Sequence, residues 1–433
     1  MTGTIRSRIV TWLGRRYLAR SQKKGINLSR IPFLPDATLL PLKRDALDPV
    51  AELGRKRAEE PISKLELPFG MNGWLITGYN EAKAALGKVD GFSNDFANLV
   101  GDTGVTAEQN PGGLGFADPP VHTRLRRLLT PEFTMRRLAR LAPRIEAIVA
   151  EQLDAMAVAE QPVDLWQAFA LPIPSLTICE LLGVPYEDRA EFQRLSTARF
   201  DLFGGAGASL GAISESLSYL RDIVKKQRES PGDGLLGMLI KEHGDEIDDQ
   251  ELAGLADGLL TGGLETTASM LALGALVLLQ HPESIDLIRG GDNDSGKERD
   301  DAINRFVEEL LRYLTVVQVA FPRFAKQDME IAGVKISSGD IVVCSLSGAN
   351  RDKVLGTDME RFDATRKPTP HLAFGFGIHR CIGAELAKIE LRTAYPALLA
   401  RFPGIRLAVD ADELSYRNIS IVYGVDSLPV VLQ

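Results

Sequence analysis

Cys381 stands in the run Phe374-Gly375-Phe376-Gly377-Ile378-His379-Arg380-Cys381-Ile382-Gly383, with three glycines and a histidine around a single thiol. The run passes into an apolar-periodic stretch that predicts a helix from Ala384 to about Phe402. A thiolate just ahead of a helix N-terminus faces unpaired backbone N–H groups and the positive end of the helix dipole. Both effects lower a cysteine pKa and keep the sulfur anionic. Glycines let the backbone approach a flat, bulky group, against whose face Phe374 can lie. The chemistry this arrangement suits is a thiolate ligand to a haem-like cofactor. The competing reading is a packed core cysteine in a glycine-rich turn.

A second constellation lies in the middle of a long predicted helix, from about Asp249 to Gln280: Gly262-Gly263-Leu264-Glu265-Thr266-Thr267. Two adjacent glycines there cost roughly 2 kcal/mol against alanine. Either a neighbouring helix packs closely on them, or a ligand approaches the backbone. Glu265 and Thr266 then set an acid and an alcohol beside that point in an otherwise apolar helix, a pair able to pass protons. Two weaker patterns follow. Glu309-Leu310-Leu311-Arg312 puts opposite charges one helical turn apart. His122-Thr123-Arg124-Leu125-Arg126, after Asp118-Pro119-Pro120, sets His122 and Arg126 one turn apart, where both can reach one anion.

These four segments, in this order, resemble the cytochrome P-450 family. Phe374, Gly377, His379, Cys381 and Gly383 fill its haem-binding signature, and Gly262 to Thr267 match its oxygen-binding groove. Glu309 and Arg312 match its Glu-x-x-Arg pair, which a downstream arginine completes; Arg361, in Glu360-Arg361-Phe362, has that place, although Met359 replaces the usual preceding proline. The resemblance runs from about Asp48 to the end and implies a mainly α fold with a small β-rich part, the haem lying between a long central helix and the cysteine loop. It implies haem b (heme b, iron protoporphyrin IX) with Cys381 as axial ligand of the iron. Gly263 and Phe374 would lie against the cofactor, and His122, Arg126, Arg323 and His379 would meet its propionates. Thr266 and Glu265 would deliver protons to reduced dioxygen, and Glu309, Arg312 and Arg361 would be structural. The implied reaction is monooxygenation, hydroxylation or epoxidation of a hydrophobic substrate, with electrons from a ferredoxin and its reductase. Arg124, Arg127 and Arg380 belong either to solvated faces or to the surface that receives such an acidic partner. A haem-thiolate sensor, or a family member catalysing isomerisation or dehydration, would be the competing functions.

The elements that position these residues follow from pattern and composition. Asp248 and Glu251 form a capping box at the start of the long helix, which at 1.5 Å per residue spans roughly 45–50 Å. Trp74 to Thr77 reads as a strand, with Asn80 capping a helix through Leu86; residues 92 to 115 and 290 to 300 read as loops, and Met329 to Leu346 as a hairpin region. Gly205 to Gly211 lacks dinucleotide-loop spacing and reads as a flexible connection between helices. The histidines show no zinc-ligand pairing. Cys179, Cys344 and Cys381 are too few and too scattered for a disulfide framework, which suits a reducing cytoplasm. The net charge of −8 argues against nucleic acid. Residues 1–30 carry eight basic residues and no acidic one. They form either a solvated arm or an amphipathic helix able to touch an anionic membrane surface. Residues 31–433 are expected to form a single domain, and the protein to be a monomer.

Overall fold

A computed structural model of the chain describes residues 36–68, 71–95, 113–185, 188–192, 194, 206–289 and 296–433. The basic arm, the 96–112 stretch and residues 195–205 lie outside the described residues. The helices around the site are α1 (Tyr79–Gly87), α2 (Val121–Leu129), α3 (Ala142–Ala157), α4 (Pro172–Leu182), α5 (Ala206–Glu229), α6 (Asp249–Gln280), α7 (Gly296–Leu314) and α8 (Ala384–Arg401).

Helix α6 is the axis. Asp248 caps it, its Oδ1 accepting the Glu251 N–H at 2.7 Å. The return half of the expected box is absent, because the Glu251 carboxylate pairs with Arg124 instead. Apolar residues surround α6 on nearly every side, so burial is the only way to satisfy it. It is long and apolar enough to cross a bilayer, yet most of it is buried inside the protein. Leu264, Leu271 and Leu278 of α6 share one apolar cluster with Ile148 of α3, Ile173 of α4, and Leu391 and Leu398 of α8. Tyr395 of α8 donates its hydroxyl to the Met270 carbonyl at 2.5 Å and so fixes where α8 crosses α6.

The β-rich part is a five-stranded sheet of β1 (Ile62–Glu66), β2 (Asn72–Ile76), β3 (Phe92–Ser93), β4 (Arg323–Ala325) and β7 (Ile341–Cys344), in the order β1-β2-β7-β4-β3. The β2–β7 pair is parallel, with Val342 opposite Trp74, and the other pairs are antiparallel. A hairpin of β5 (Met329–Ile331) and β6 (Val334–Ile336) precedes β7. Val163–Asp164, Pro429–Val431 and Arg406–Leu407 form a three-stranded sheet.

Further sequence expectations change: Phe92–Ser93, expected to open a loop, pair instead as the edge strand β3. Asn80 does not cap α1; the Tyr79 N–H donates to Asp352 Oδ2 at 2.9 Å, a cap supplied from a distant segment. The polar stretch to Asp300 is helical from Gly296 onward. The glycine cluster is helical from Ala206, because α5 starts there and runs unbroken to Glu229.

Candidate active site

The cysteine loop is built by two backbone positions and one closing hydrogen bond. Gly375 and Gly377 take φ of 68° and 77°, a region that side chains disfavour. A Cβ at Gly377 would also lie 2.5 Å from the Leu86 carbonyl oxygen of α1. The Cys381 N–H donates to the Phe374 carbonyl at 2.9 Å, closing the loop three residues before α8 begins. The sulfur thus sits ahead of the helix N-terminus as the sequence predicts. Its acidity does not follow that prediction. Although Cys381 is exposed, the protein packed around its sulfur desolvates it and pushes the thiol up from its ordinary value, and the Gly383 N–H, Arg126 and Arg380 offset this only in part. Coordination to a cation is what would deprotonate it outright.

Beside the thiol lies a cluster of basic side chains. His122, 2% exposed, leaves both ring nitrogens without a partner. Its ring centroid is 4.2 Å from that of His379. Arg126 donates to the Arg380 carbonyl at 2.7 Å, and buried Arg323 donates to Asn94 Oδ1. Burial, then Arg323, His122 and Arg126, push the His379 pKa down to about 3. Burial and Arg126 likewise lower that of His122. A buried imidazole without a hydrogen-bond partner, set beside a second imidazole and several arginines, is a group suited to meet an anion. The two propionates of a haem supply that charge, so the residues present fit the group.

On α6, the two glycines divide their roles. A Cβ at Gly262 would meet nothing within 4 Å, whereas one at Gly263 would lie 2.7 Å from Ile178 Cδ1 of α4. The expectation for Gly263 is therefore corrected: it packs a helix, and Gly262 is the position open to a ligand. The Thr266 hydroxyl donates to the Gly262 carbonyl at 2.8 Å, a bond within its own helix. Glu265 is 13% exposed and lies 3.3 Å from Arg417, which also pairs with Asp426 at 3.2 Å and lies over the Trp166 ring. Burial raises the Glu265 pKa to about 7, against the pull of Arg417.

Behind the loop, Arg312 is fully buried and grips Glu309 through two bonds of 2.7 and 2.8 Å. It also donates to the carbonyls of Asn350, Met359 and Arg361. Arg361 is thus corrected too: its side chain is exposed and only its carbonyl joins the clamp. The third charged group is Arg366, whose Nε donates to Glu309 Oε1 at 3.1 Å. Two apolar segments, around residues 316–321 and 420–423, are zipped together. Gln318 donates to the Ser420 carbonyl at 2.8 Å and takes the Ile421 carbonyl through its N–H at 3.0 Å. Arg44 donates to Gln318 Oε1 at 2.8 Å from the N-terminal side. Phe321 and Ile421 remain 45% and 49% exposed, and the Phe116 ring centroid lies 4.5 Å from that of Phe321. Sequence reasoning missed Arg417, Arg366, Asn94 and Arg44. None lies in a motif, and only folding brings them to the site.

A family model described as Cytochrome P-450 matches residues 210–405. Cytochrome P-450 165B3 of Amycolatopsis orientalis is 38% identical over 409 residues, covering 91% of this chain and 98% of that one. Mycinamicin IV hydroxylase/epoxidase of Micromonospora griseorubida is 37% identical, covering 87% and 94%. The crystal structure of OxyC, a cytochrome P-450 implicated in an oxidative C–C coupling reaction during vancomycin biosynthesis, superposes with a TM-score of 0.80 at 37% identity, covering 90% of this chain and 95% of that one. A helical fold around α6, a thiol loop beside a cluster of basic side chains, and relatives similar along nine-tenths of the chain lead to one conclusion: this chain belongs to the cytochrome P-450 family, the haem-b-containing, haem-thiolate monooxygenases.

Proposed function

We propose that this enzyme hydroxylates or epoxidises a hydrophobic substrate, using electrons from a ferredoxin and its reductase. Haem b, when bound, supplies the activation of dioxygen. Cys381 would be its axial ligand, with Phe374 at the loop base. His122, Arg126, Arg323 and His379 would hold its propionates, and Gly262 would leave room beside it.

The observation that carries the reading is the acid–alcohol pair next to that open glycine. Glu265 has a pKa near the working pH, which suits a group that must both take up and release a proton. Its neighbour Thr266 can exchange the 2.8 Å bond to the Gly262 carbonyl for one to a water, and so hold or pass a proton at its hydroxyl. Arg417 links Glu265 to the half-exposed Asp426, so the acid is connected toward solvent. The substrate class rests on Phe116, Phe321 and Ile421, which offer aromatic and aliphatic surface. An electron donor would meet the exposed Arg127 and Arg380 near the cysteine loop. Arg124 contributes less there, being paired with Glu251. We place the protein in the cytoplasm, with residues 1–30 as the segment able to touch an anionic membrane.

The test begins with the reduced protein under carbon monoxide, where a red-shifted Soret band is expected and its absence overturns the Cys381 assignment. Turnover with a surrogate ferredoxin on a library of apolar substrates should then yield products carrying one added oxygen. Products that are only coupled or only isomerised would overturn the proposed reaction.

A further inference from the structure

The cysteine loop is held at its base by side chains that its motif does not contain. The Leu372 N–H donates to Asn350 Oδ1 at 2.7 Å, and the Ala373 N–H donates to His371 Nδ1 at 3.2 Å. The Gly375 N–H returns to the Leu372 carbonyl at 2.8 Å. The next residue, Phe374, gives its carbonyl to the Cys381 N–H. Only two peptide units therefore separate the bond made by His371 from the bond made by the cysteine itself.

The state of the His371 ring is fixed by its two partners. A backbone N–H can only donate, so Nδ1 must be the acceptor and the ring proton must lie on Nε2. Nε2 points at Glu308 Oε2, 3.1 Å away on α7. Glu308 is ready to accept it, since Lys388 lies 2.6 Å and Arg392 3.7 Å from its other oxygen. Burial opposes ionisation of Glu308, but the bonds from His371 and Lys388 outweigh it and hold the carboxyl at about 2. Glu385, 3.6 Å from Lys388, completes the set of charges around the ring. The His371 side chain is 6% exposed, so water replaces neither bond readily. Lys388 also lies 5.7 Å over the Phe374 ring, tying the same carboxylate cluster to the loop.

We propose that His371 is a positioning residue for the thiolate ligand: its Nδ1 accepts the Ala373 N–H and so sets the peptide run that presents Cys381. This inference rests on Cys381 being the axial ligand. It differs from the Glu309–Arg312 clamp, because it acts on the loop backbone itself.

Two variants separate the two ends of the imidazole. His371→Asn keeps an acceptor where Nδ1 stood but cannot reach Glu308. His371→Gln reaches Glu308 but leaves the Ala373 N–H without an acceptor. The haem-loaded, reduced, carbon-monoxide complex of each is titrated with mild denaturant, and the ratio of thiolate-bound to thiolate-lost Soret bands is read. Wild type showing the red-shifted band establishes the Cys381 reading independently. His371→Asn is then expected to stay within about twofold of wild type. His371→Gln is expected to shift the ratio about tenfold toward thiolate loss, the scale of one buried hydrogen bond. Equal behaviour of the two variants, whether both normal or both impaired, overturns the proposal, as does better retention in His371→Gln. If neither variant retains haem, the acceptor is not the deciding feature and the proposal likewise fails.

Discussion

Replacing Arg417 with Met tests whether the Glu265 carboxyl is tuned by its ion pair. At 3.3 Å, two unit charges interact by about 5 kcal/mol at an effective dielectric of about 20. Arg417 is shared with Asp426, and both Glu265 and Arg417 are partly solvated, so the share available to Glu265 is smaller. About 1.5–3 kcal/mol remains, which raises the Glu265 pKa by roughly one to two pH units. In the native protein that pKa is already raised to about 7 by burial. The fold therefore favours the protonated carboxyl. That contribution is complete below the ordinary value of 4.5 and is lost as pH rises through about 7. In Arg417→Met the loss extends toward pH ~8–9, so denaturant stability continues to fall with pH where wild type has levelled off. If protonated Glu265 feeds the oxygen site, product formed per NAD(P)H consumed should decline through pH ~7 in wild type and through a correspondingly higher pH in the variant. Arg417→Lys, which keeps the charge, should lie between them. Coincident pH profiles in wild type and Arg417→Met would refute the reasoning.

Further outcomes follow from the same geometry. Thr266→Ala should leave the haem spectrum unchanged but divert most reducing equivalents to peroxide, measured as product per NAD(P)H; unaltered coupling counts against the proton-delivery role. Gly263→Ala should destabilise by about 1–3 kcal/mol in denaturant melts, because its methyl meets Ile178. Gly262→Ala should gain up to about 1 kcal/mol of helix stability while lowering turnover, since it fills the open position. Arg366→Ala should cost several times more stability than Arg361→Ala, for which less than about 0.5 kcal/mol is expected. Only the former ends the bond to buried Glu309.

Much of the fold was legible because its signals are local. The bounds of α6 follow from an Asp248 cap, a run of apolar residues on every face, and Pro282 beyond it. The start of α8 after Gly383 follows from its apolar period. What failed was also local in kind. Asn80 is a plausible cap by type, but the Tyr79 N–H finds the carboxylate of Asp352, which packing brings closer. The glycines of 206–211 have low helix propensity, yet they lie within a helix whose C-terminal part buries Leu220, Ile223 and Val224 in the main core.

The sequence by itself determined the groups that its motifs carry: one thiol in a glycine turn, an acid and an alcohol in mid-helix, and a histidine and an arginine one helical turn apart. Residue type and helical spacing carry that information without any long-range contact. Only the tertiary structure decided how those groups behave. Desolvation by the surrounding protein raises the Cys381 thiol, burial raises the Glu265 carboxyl, and the latter is moderated by an arginine 152 positions away. Packing against Ile178 assigns Gly263 to structure and leaves Gly262 open. The third charge on Glu309 comes from Arg366 rather than Arg361, because the chain turns there to offer the Arg361 carbonyl. Desolvation and hydrogen-bond geometry depend on which segments meet in space, and sequence spacing does not specify that.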